Sequence, residues 1–380
     1  MKPLNHVVAT FQESIFTTLA ELANRAGVIN LAQGFPDFDG PEWVRELGAA
    51  SMRDGKQQYA ASMGAPELRK ALSQLYQRQY QLEFDWRSEV LVTVGASEAI
   101  YVAIQALTNP GDEVLFFEPF YDSYMASAKM AGVTAKAVTL KFPDFEIDWD
   151  ALASAVSDKT KLIMFNSPHN PTGKVFTKAE LERLAAFVVE HDLYVITDEV
   201  YEYLAFDRPH LPLASLPQMA ERVLTISSMG KTLGLTGWKI GWVVGPRKLI
   251  QAVHALHQYL PFCVVHPLQL ALADALPRLP EYLPEFQESY RNKRDFLFSG
   301  LKELGFNVQN PQGTYFALSK VPDGRQELEY CQELIQKRKV AALPLSSFYL
   351  NSDEGTQLIR FCFAKKQSTL NQAIQNLREP

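Results

Sequence analysis

Short β-like runs alternate with helical patterns through the middle of this chain, and no other feature limits the fold so tightly. The runs fall at 89–94, 113–117, 161–165, 194–197, 223–226 and 239–244, with helical spacing between them at 98–107 and 179–190. Such alternation predicts an α/β fold whose mostly parallel sheet is covered by helices on both faces. Past about residue 275 the texture changes. A charged helical segment at 285–304 precedes short strand-like runs near 314–318 and 358–363, which predicts a second, smaller α+β domain. Near the N-terminus Thr10-Phe11-Gln12-Glu13 reads as a capping box, followed by Ile15, Phe16, Leu19, Leu22 and Ala23 at helical spacing. The resulting division is an N-terminal arm and helix at 1–40, a large domain at 41–279 and a small domain at 280–380.

Composition removes several classes of function. Hydrophobic residues make up 47% and charged residues 21%, the balance of a soluble protein with a real core. A net charge of −6 argues against nucleic acid or an anionic membrane as partner. The three cysteines, Cys263, Cys331 and Cys362, are widely spaced and form no CxxC pair, so neither a disulfide framework nor a zinc cluster is expected. His254 and His257 stand at i, i+3, a spacing that by itself reads as a helix face and not as a metal site. The N-terminus lacks the apolar core of a signal peptide, and no apolar run reaches the length of about 18 residues that a membrane helix needs. A cytoplasmic protein without a metal is the expectation.

Ligands of open α/β sheets collect beyond the carboxyl ends of the parallel strands, and polar signals follow successive runs there. Gly95-Ala96-Ser97 opens a helix, where free N–H groups and a hydroxyl could hold a phosphate; Ser97-Glu98 would equally serve as a plain helix start. Glu118-Pro119-Phe120-Tyr121 brings an aromatic that could stack on a flat ring or simply join the core. Asn166-Ser167-Pro168-His169-Asn170-Pro171 reads as an Asn-Pro turn, yet the Asn170 amide could donate to a phenolate oxygen. Asp198, straight after a buried run, costs solvation unless it meets a cation or caps a helix, and Tyr201 follows three residues later. Last comes Ser227-Ser228-Met229-Gly230-Lys231-Thr232, with Lys239 eight residues beyond Lys231. The phosphate-loop pattern GxxxxGK[ST] needs glycine at 225, where this chain has Thr225. What remains is a solvated glycine loop, or a lysine presented beside anion-binding hydroxyls for Schiff-base chemistry with a phosphorylated aldehyde.

Together these residues resemble those of the fold-type-I, pyridoxal-5′-phosphate-dependent aminotransferases of class I/II. Within them the likeness is to the kynurenine aminotransferase/glutamine transaminase K group, which includes bacterial methionine aminotransferases. It covers nearly the whole chain, through NLAQGFPDFDGP (30–41), QYAASMGAPELRKAL (58–72), VTVGASEAI (92–100), EPFYDSY (118–124), NSPHNPTG (166–173), DEVYEYL (198–204), SSMGKTLGLTGWKIGW (227–242) and LIRFCFAKK (358–366). The resemblance implies a seven-stranded sheet and pyridoxal 5′-phosphate as cofactor. It makes Lys231 the Schiff-base lysine and general base, Asp198 the partner of the pyridinium nitrogen, and Tyr201 and Asn170 ligands of the ring oxygen. Ala96, Ser97, Ser228 and Lys239 become phosphate ligands and Tyr121 the stacking aromatic. Arg360, helped by Gly34, binds the substrate carboxylate.

A homodimer with shared sites is also implied, in which the partner subunit's Tyr59 reaches the phosphate. Phe16 and the partner's Phe262 and Cys263 then line the side-chain pocket together with that tyrosine. Cys263 departs from the histidine of some kynurenine-preferring relatives, and Phe16 from a larger tryptophan. With no second arginine in view, neutral amino acids are the expected donors: methionine first, then glutamine, aromatic amino acids and kynurenine, with a 2-oxo acid as acceptor in a ping-pong exchange. A β-eliminating lyase on cysteine conjugates would use the same lysine, and a cofactor-binding regulator is the reading from outside catalysis.

Overall fold

The computed structural model describes residues 2–11, 23 and 27–378. Its strands, in chain order, are β1 (Ile29–Asn30), β2 (Val90–Thr93), β3 (Glu113–Glu118), β4 (Thr134–Thr139), β5 (Thr160–Asn166), β6 (Tyr194–Asp198), β7 (Val223–Ser228), β8 (Gly241–Val244), β9 (Asn307–Val308), β10 (Phe316–Lys320), β11 (Val340–Ala341), β12 (Leu343–Pro344) and β13 (Leu358–Cys362). Seven of them form one sheet in the order β2-β8-β7-β6-β5-β3-β4. Only β8 runs against its neighbours; the other pairings are parallel. All six residues of β3 and of β7 are buried, as strands covered on both faces must be. The strand absent from the six sequence runs is β4, at the sheet edge. Its Thr-Ala-Lys-Ala-Val-Thr is mostly half-exposed, so no continuous apolar run marks it.

Helices cover the sheet for local reasons that can be read. Lys178–Glu190 starts at a full capping box, with Thr177 and Glu180 each satisfying the other's backbone N–H. Pro66 opens Pro66–Tyr80, where a missing N–H costs nothing. Gly132 closes Asp122–Ala131 in the left-handed region at φ 70°. Gly95–Leu107 lies over the sheet against β6, β7 and β8 and buries Ala99, Ile100, Val102, Ala103, Ile104 and Leu107. Thr10 ends a 3₁₀ turn and its hydroxyl donates to the Val7 carbonyl at 2.7 Å, while Gln12 and Glu13 of the expected capping box lie outside the described residues. The helix expected after it lies outside the described residues, except for Ala23.

Beyond the 25-residue helix Leu279–Glu303, a four-stranded sheet forms in the order β12-β13-β10-β9. β10 and β12 both pair antiparallel to β13. The N-terminal segment joins this half of the molecule. β1 pairs in parallel with β11, and the Cys362 N–H donates to the Leu31 carbonyl at 2.7 Å. Among the described residues no helix is long and apolar enough to cross a membrane.

Candidate active site

Because β2, β3, β5, β6 and β7 point the same way, the residues that follow them meet at one edge. β8 enters from that edge, since Gly241 stands opposite both Thr93 and Ser228. A cavity of about 360 Å³ opens there. Ala96, Ser97, Tyr121, Asn170, Asp198, Tyr201, Ser228, Lys231 and Lys239 line it from the large sheet, and Gly34 and Arg360 from the opposite side.

The helix start Gly95-Ala96-Ser97 presents backbone N–H groups that no helical carbonyl can reach. The helix begins at Gly95, two residues before Ser97, and the Glu98 carboxylate accepts from the Val94 N–H at 2.6 Å, which leaves the following amides to the cavity. Strand β8 comes very close: a Cβ on Gly241 would lie 2.6 Å from the Gly95 carbonyl carbon and 2.7 Å from the Ala96 nitrogen. That approach carries Lys239, held at φ 53°, alongside; its Nζ donates to Ser97 Oγ at 3.5 Å. Ser228, at the end of β7, completes a cluster of hydroxyl, amide and ammonium donors suited to an anion.

Asp198 is the last residue of β6 and is buried. Tyr124 Oη donates to its Oδ2 at 2.6 Å and the Val200 N–H to its Oδ1 at 3.3 Å. No helix follows Asp198, so it is not a helix cap. Burial raises its pKa above the ordinary carboxylate value, against the opposing pull of Tyr124. Among the described residues no ion pair reaches this carboxylate, although it faces a cavity with cations. Lys231, in the single turn Met229–Thr232, stands over the rings of Tyr201 and Tyr315, at 5.7 and 5.6 Å. Part of Lys231 remains accessible from the cavity, yet enclosure by protein lowers its pKa from 10.5 to about 8, with Asp198 pulling the other way. The Tyr201 ring meets Tyr315 and Phe316 edge-on, and burial keeps its hydroxyl protonated. Tyr121 packs edge-on against Tyr124, and burial pushes its hydroxyl up to about 12.

Arg360 arrives from β13, fully buried. Its Nη1 donates to Asn170 Oδ1 at 2.9 Å and its Nη2 to the Ala32 carbonyl at 3.2 Å, with its guanidinium 3.8 Å from the centre of the Phe316 ring. Burial lowers its pKa to about 10, still charged at neutral pH. Asn170 is fixed from the other side, where its N–H donates to Asn166 Oδ1 at 2.6 Å. Gly34 has no room for a side chain, because a Cβ would lie 2.7 Å from Phe316.

Tyr59, Phe262 and Cys263 do not line this cavity. Tyr59 and Phe262 meet edge-to-face on the surface at 5.5 Å, and Cys263 is half-buried. Phe16 lies outside the described residues. The sequence does not single out Tyr124, Phe316, Gln33 or Phe35; such residues on a helix, on a strand or in a loop carry no signal of their own, and only packing aims them here. His254 and His257 face elsewhere, the first paired with Ser62 and the second with Glu98 at 2.7 Å. Among the described residues no group of three or more His, Cys, Asp or Glu is assembled as metal ligands would be.

A parallel sheet with a lysine, an aspartate and an arginine gathered at its carboxyl edge is the arrangement of an amino-group-transferring enzyme. The chain belongs to aminotransferase class I and II, whose pattern matches residues 26–377, and its fold is fold type I of that class. It is 42% identical to a methionine aminotransferase of Escherichia coli (strain K12) over 96% of this chain and 95% of that one. A kynurenine–oxoglutarate transaminase of Dictyostelium discoideum is 38% identical over 97% and 94%. The solved structure of an N-succinyldiaminopimelate aminotransferase from Mycobacterium tuberculosis superposes with a TM-score of 0.95 at 42% identity, covering 99% of each chain.

Proposed function

We propose that this aminotransferase uses pyridoxal 5′-phosphate to move the α-amino group of neutral amino acids, methionine foremost, to a 2-oxo acid by a ping-pong exchange. One observation carries the reading: Lys231 from the turn after β7, Asp198 from β6 and Arg360 from β13 converge on one cavity. The residues fit the cofactor. The donor cluster at Ala96, Ser97, Ser228 and Lys239 suits its phosphate, and Asp198, a buried carboxylate without an ion pair among the described residues, suits a protonated pyridine nitrogen.

When bound, pyridoxal phosphate supplies an aldehyde that carries the amino group and a ring that takes up the electron pair left by the departing Cα proton. The protein's own groups do the rest. Lys231, its ammonium weakened by burial, accepts and returns that proton as general base. Asp198, oriented by Tyr124, would hold the ring nitrogen protonated. Tyr201 and the Asn170 amide would hold the ring oxygen, and Tyr121, which also lines the cavity, would hold the ring. Arg360 and the Gly34 N–H hold the substrate carboxylate, the guanidinium through its planar fork. Among the described residues lining the cavity the cations are Lys231, Lys239 and Arg360, each with a role already. None is left for a distal carboxylate, which favours a neutral side chain over an N-succinylated acid.

The proposed enzyme is a homodimer of this chain in the cytoplasm. Tyr59 is 82% and Phe262 47% exposed, and Tyr259, Leu260 and Val265 extend the same apolar surface, which a second copy would cover while delivering Tyr59 to its partner's phosphate. Borohydride reduction followed by peptide mapping tests the core of the proposal. A pyridoxyl label on Lys231 is expected, and a label elsewhere or none refutes it. Steady-state rates on a panel of amino donors then rank methionine against glutamine, phenylalanine, kynurenine and N-succinyldiaminopimelate. Release of pyruvate and ammonia from a cysteine conjugate would mark β-elimination instead.

A further inference from the structure

Lys365 is a buried cation that the proposed chemistry does not use. Its Nζ donates to the Phe35 carbonyl at 2.8 Å and to the Gln33 carbonyl at 3.5 Å, and stands 5.0 Å from the centre of the Phe35 ring. Between these two anchors the Gly34 carbonyl accepts from Tyr315 Oη at 2.6 Å, and one residue earlier the Ala32 carbonyl is held by Arg360. Four consecutive carbonyls, 32 to 35, are therefore tied to side chains of the C-terminal half. In a trans peptide the N–H points opposite to the carbonyl of the same unit. Pulling the Gln33 and Gly34 carbonyls one way turns the Gly34 and Phe35 N–H groups the other way, and Gln33, Gly34 and Phe35 all line the cavity. Just beyond, Asp37 accepts from the Lys366 N–H and from Thr369 Oγ1, both at 2.6 Å, fixing the far end of the segment.

We infer that Lys365 is a positioning residue for substrate recognition. Its ammonium sets the peptide planes of 33–35 so that the Gly34 N–H meets the substrate carboxylate beside Arg360 and the Phe35 ring walls the space for the substrate side chain. This rests on the proposed carboxylate role of Gly34 and Arg360. A neutral side chain at 365 leaves two carbonyls without their donor and frees the peptide planes to rotate, while Asp198 stays on β6 and Lys231 in the turn after β7.

Lys365→Met is therefore expected to raise KM for methionine and for the 2-oxo acid about tenfold or more, the scale of a charge-assisted hydrogen bond, with kcat within about threefold of wild type. Lys365→Arg, which keeps charge and donors, falls between the two. Hydrogen exchange of peptides spanning 31–36 speeds up in Lys365→Met, and that of the four-stranded sheet does not. Unchanged KM values, a loss confined to kcat, or faster exchange spread across the whole sheet would each overturn the inference. Borohydride labelling of both proteins separates this test from the one above. Absence of a Lys231 label in wild type refutes the proposed function, whereas a labelled wild type with unaltered KM in the variant refutes only the role of Lys365. Should Lys365→Met be insoluble, Lys365→Gln retains one donor for the Phe35 carbonyl and carries the same measurement.

Discussion

Lys231 and Asp198 influence each other's protonation, and the balance sets three expectations at the residue scale. Burial favours neutral Lys231 and outweighs the attraction of Asp198, leaving its pKa at about 8 instead of 10.5. The neutral amine is the reactive form, so covalent uptake of pyridoxal phosphate by the apoenzyme should rise as pH is taken up through about 8 and fall below it. Visible absorbance against pH measures this; a midpoint near that of free lysine would contradict it. Lys231→Ala should abolish transamination while circular dichroism and melting temperature stay near wild type. Asp198→Asn withdraws a buried charge on the order of 3–5 kcal/mol, a slowing of Cα proton removal by about 10²–10⁴-fold in single-turnover kinetics. Most of these residues are legible in the sequence because each stands a fixed few positions after an apolar run. Tyr124 is not, since a tyrosine inside a helix gives no hint of which strand end it will meet.

Element geometry explains how the donor cluster is built. Had β8 run parallel, Lys239 would lie at the far edge of the sheet; its reversal brings the lysine to the start of Gly95–Leu107. The run at 239–244 marks the strand but not its direction, because inward-facing apolar residues look alike either way. The approach of β8 to that helix is tight enough to test. Gly241→Ala puts a methyl against backbone atoms of Gly95 and Ala96 that cannot turn aside, an overpacking cost of about 1–3 kcal/mol. A lower melting temperature with weaker retention of pyridoxal phosphate is expected; equal affinity for the cofactor would show that the helix start takes no part in holding it. The edge strand β4 escaped the sequence reading for the opposite reason, since half-exposed positions dilute its apolar pattern.

For the whole molecule, the exposed surface around Tyr59, Tyr259 and Phe262 is the feature a single copy leaves unexplained. Pairing of Tyr59→Asp and Phe262→Asp would place charge in a contact proposed to be apolar. Sedimentation of that double variant should shift from dimer toward monomer, with loss of cofactor retention following the loss of the partner's Tyr59. A wild-type monomer would remove the shared-site proposal. The site also depends on the way distant segments are brought together. Arg360 and Asn170 are 190 positions apart and share a hydrogen bond, and Tyr315 and Lys365 shape a loop some 280 to 330 positions earlier.

The sequence alone determined the layers and the chemical inventory. Apolar runs of strand length separated by helical spacing leave few ways to bury their surface, and polar residues directly after those runs can only gather at the carboxyl edge. Tertiary structure decided the aim of each group: that β8 is reversed, that Arg360 crosses to Asn170, and that Lys365 turns the peptides at 33–35. Those outcomes rest on contacts between segments far apart in the chain, and a local pattern of residues carries no record of which distant carbonyl or carboxylate will be waiting when the chain closes.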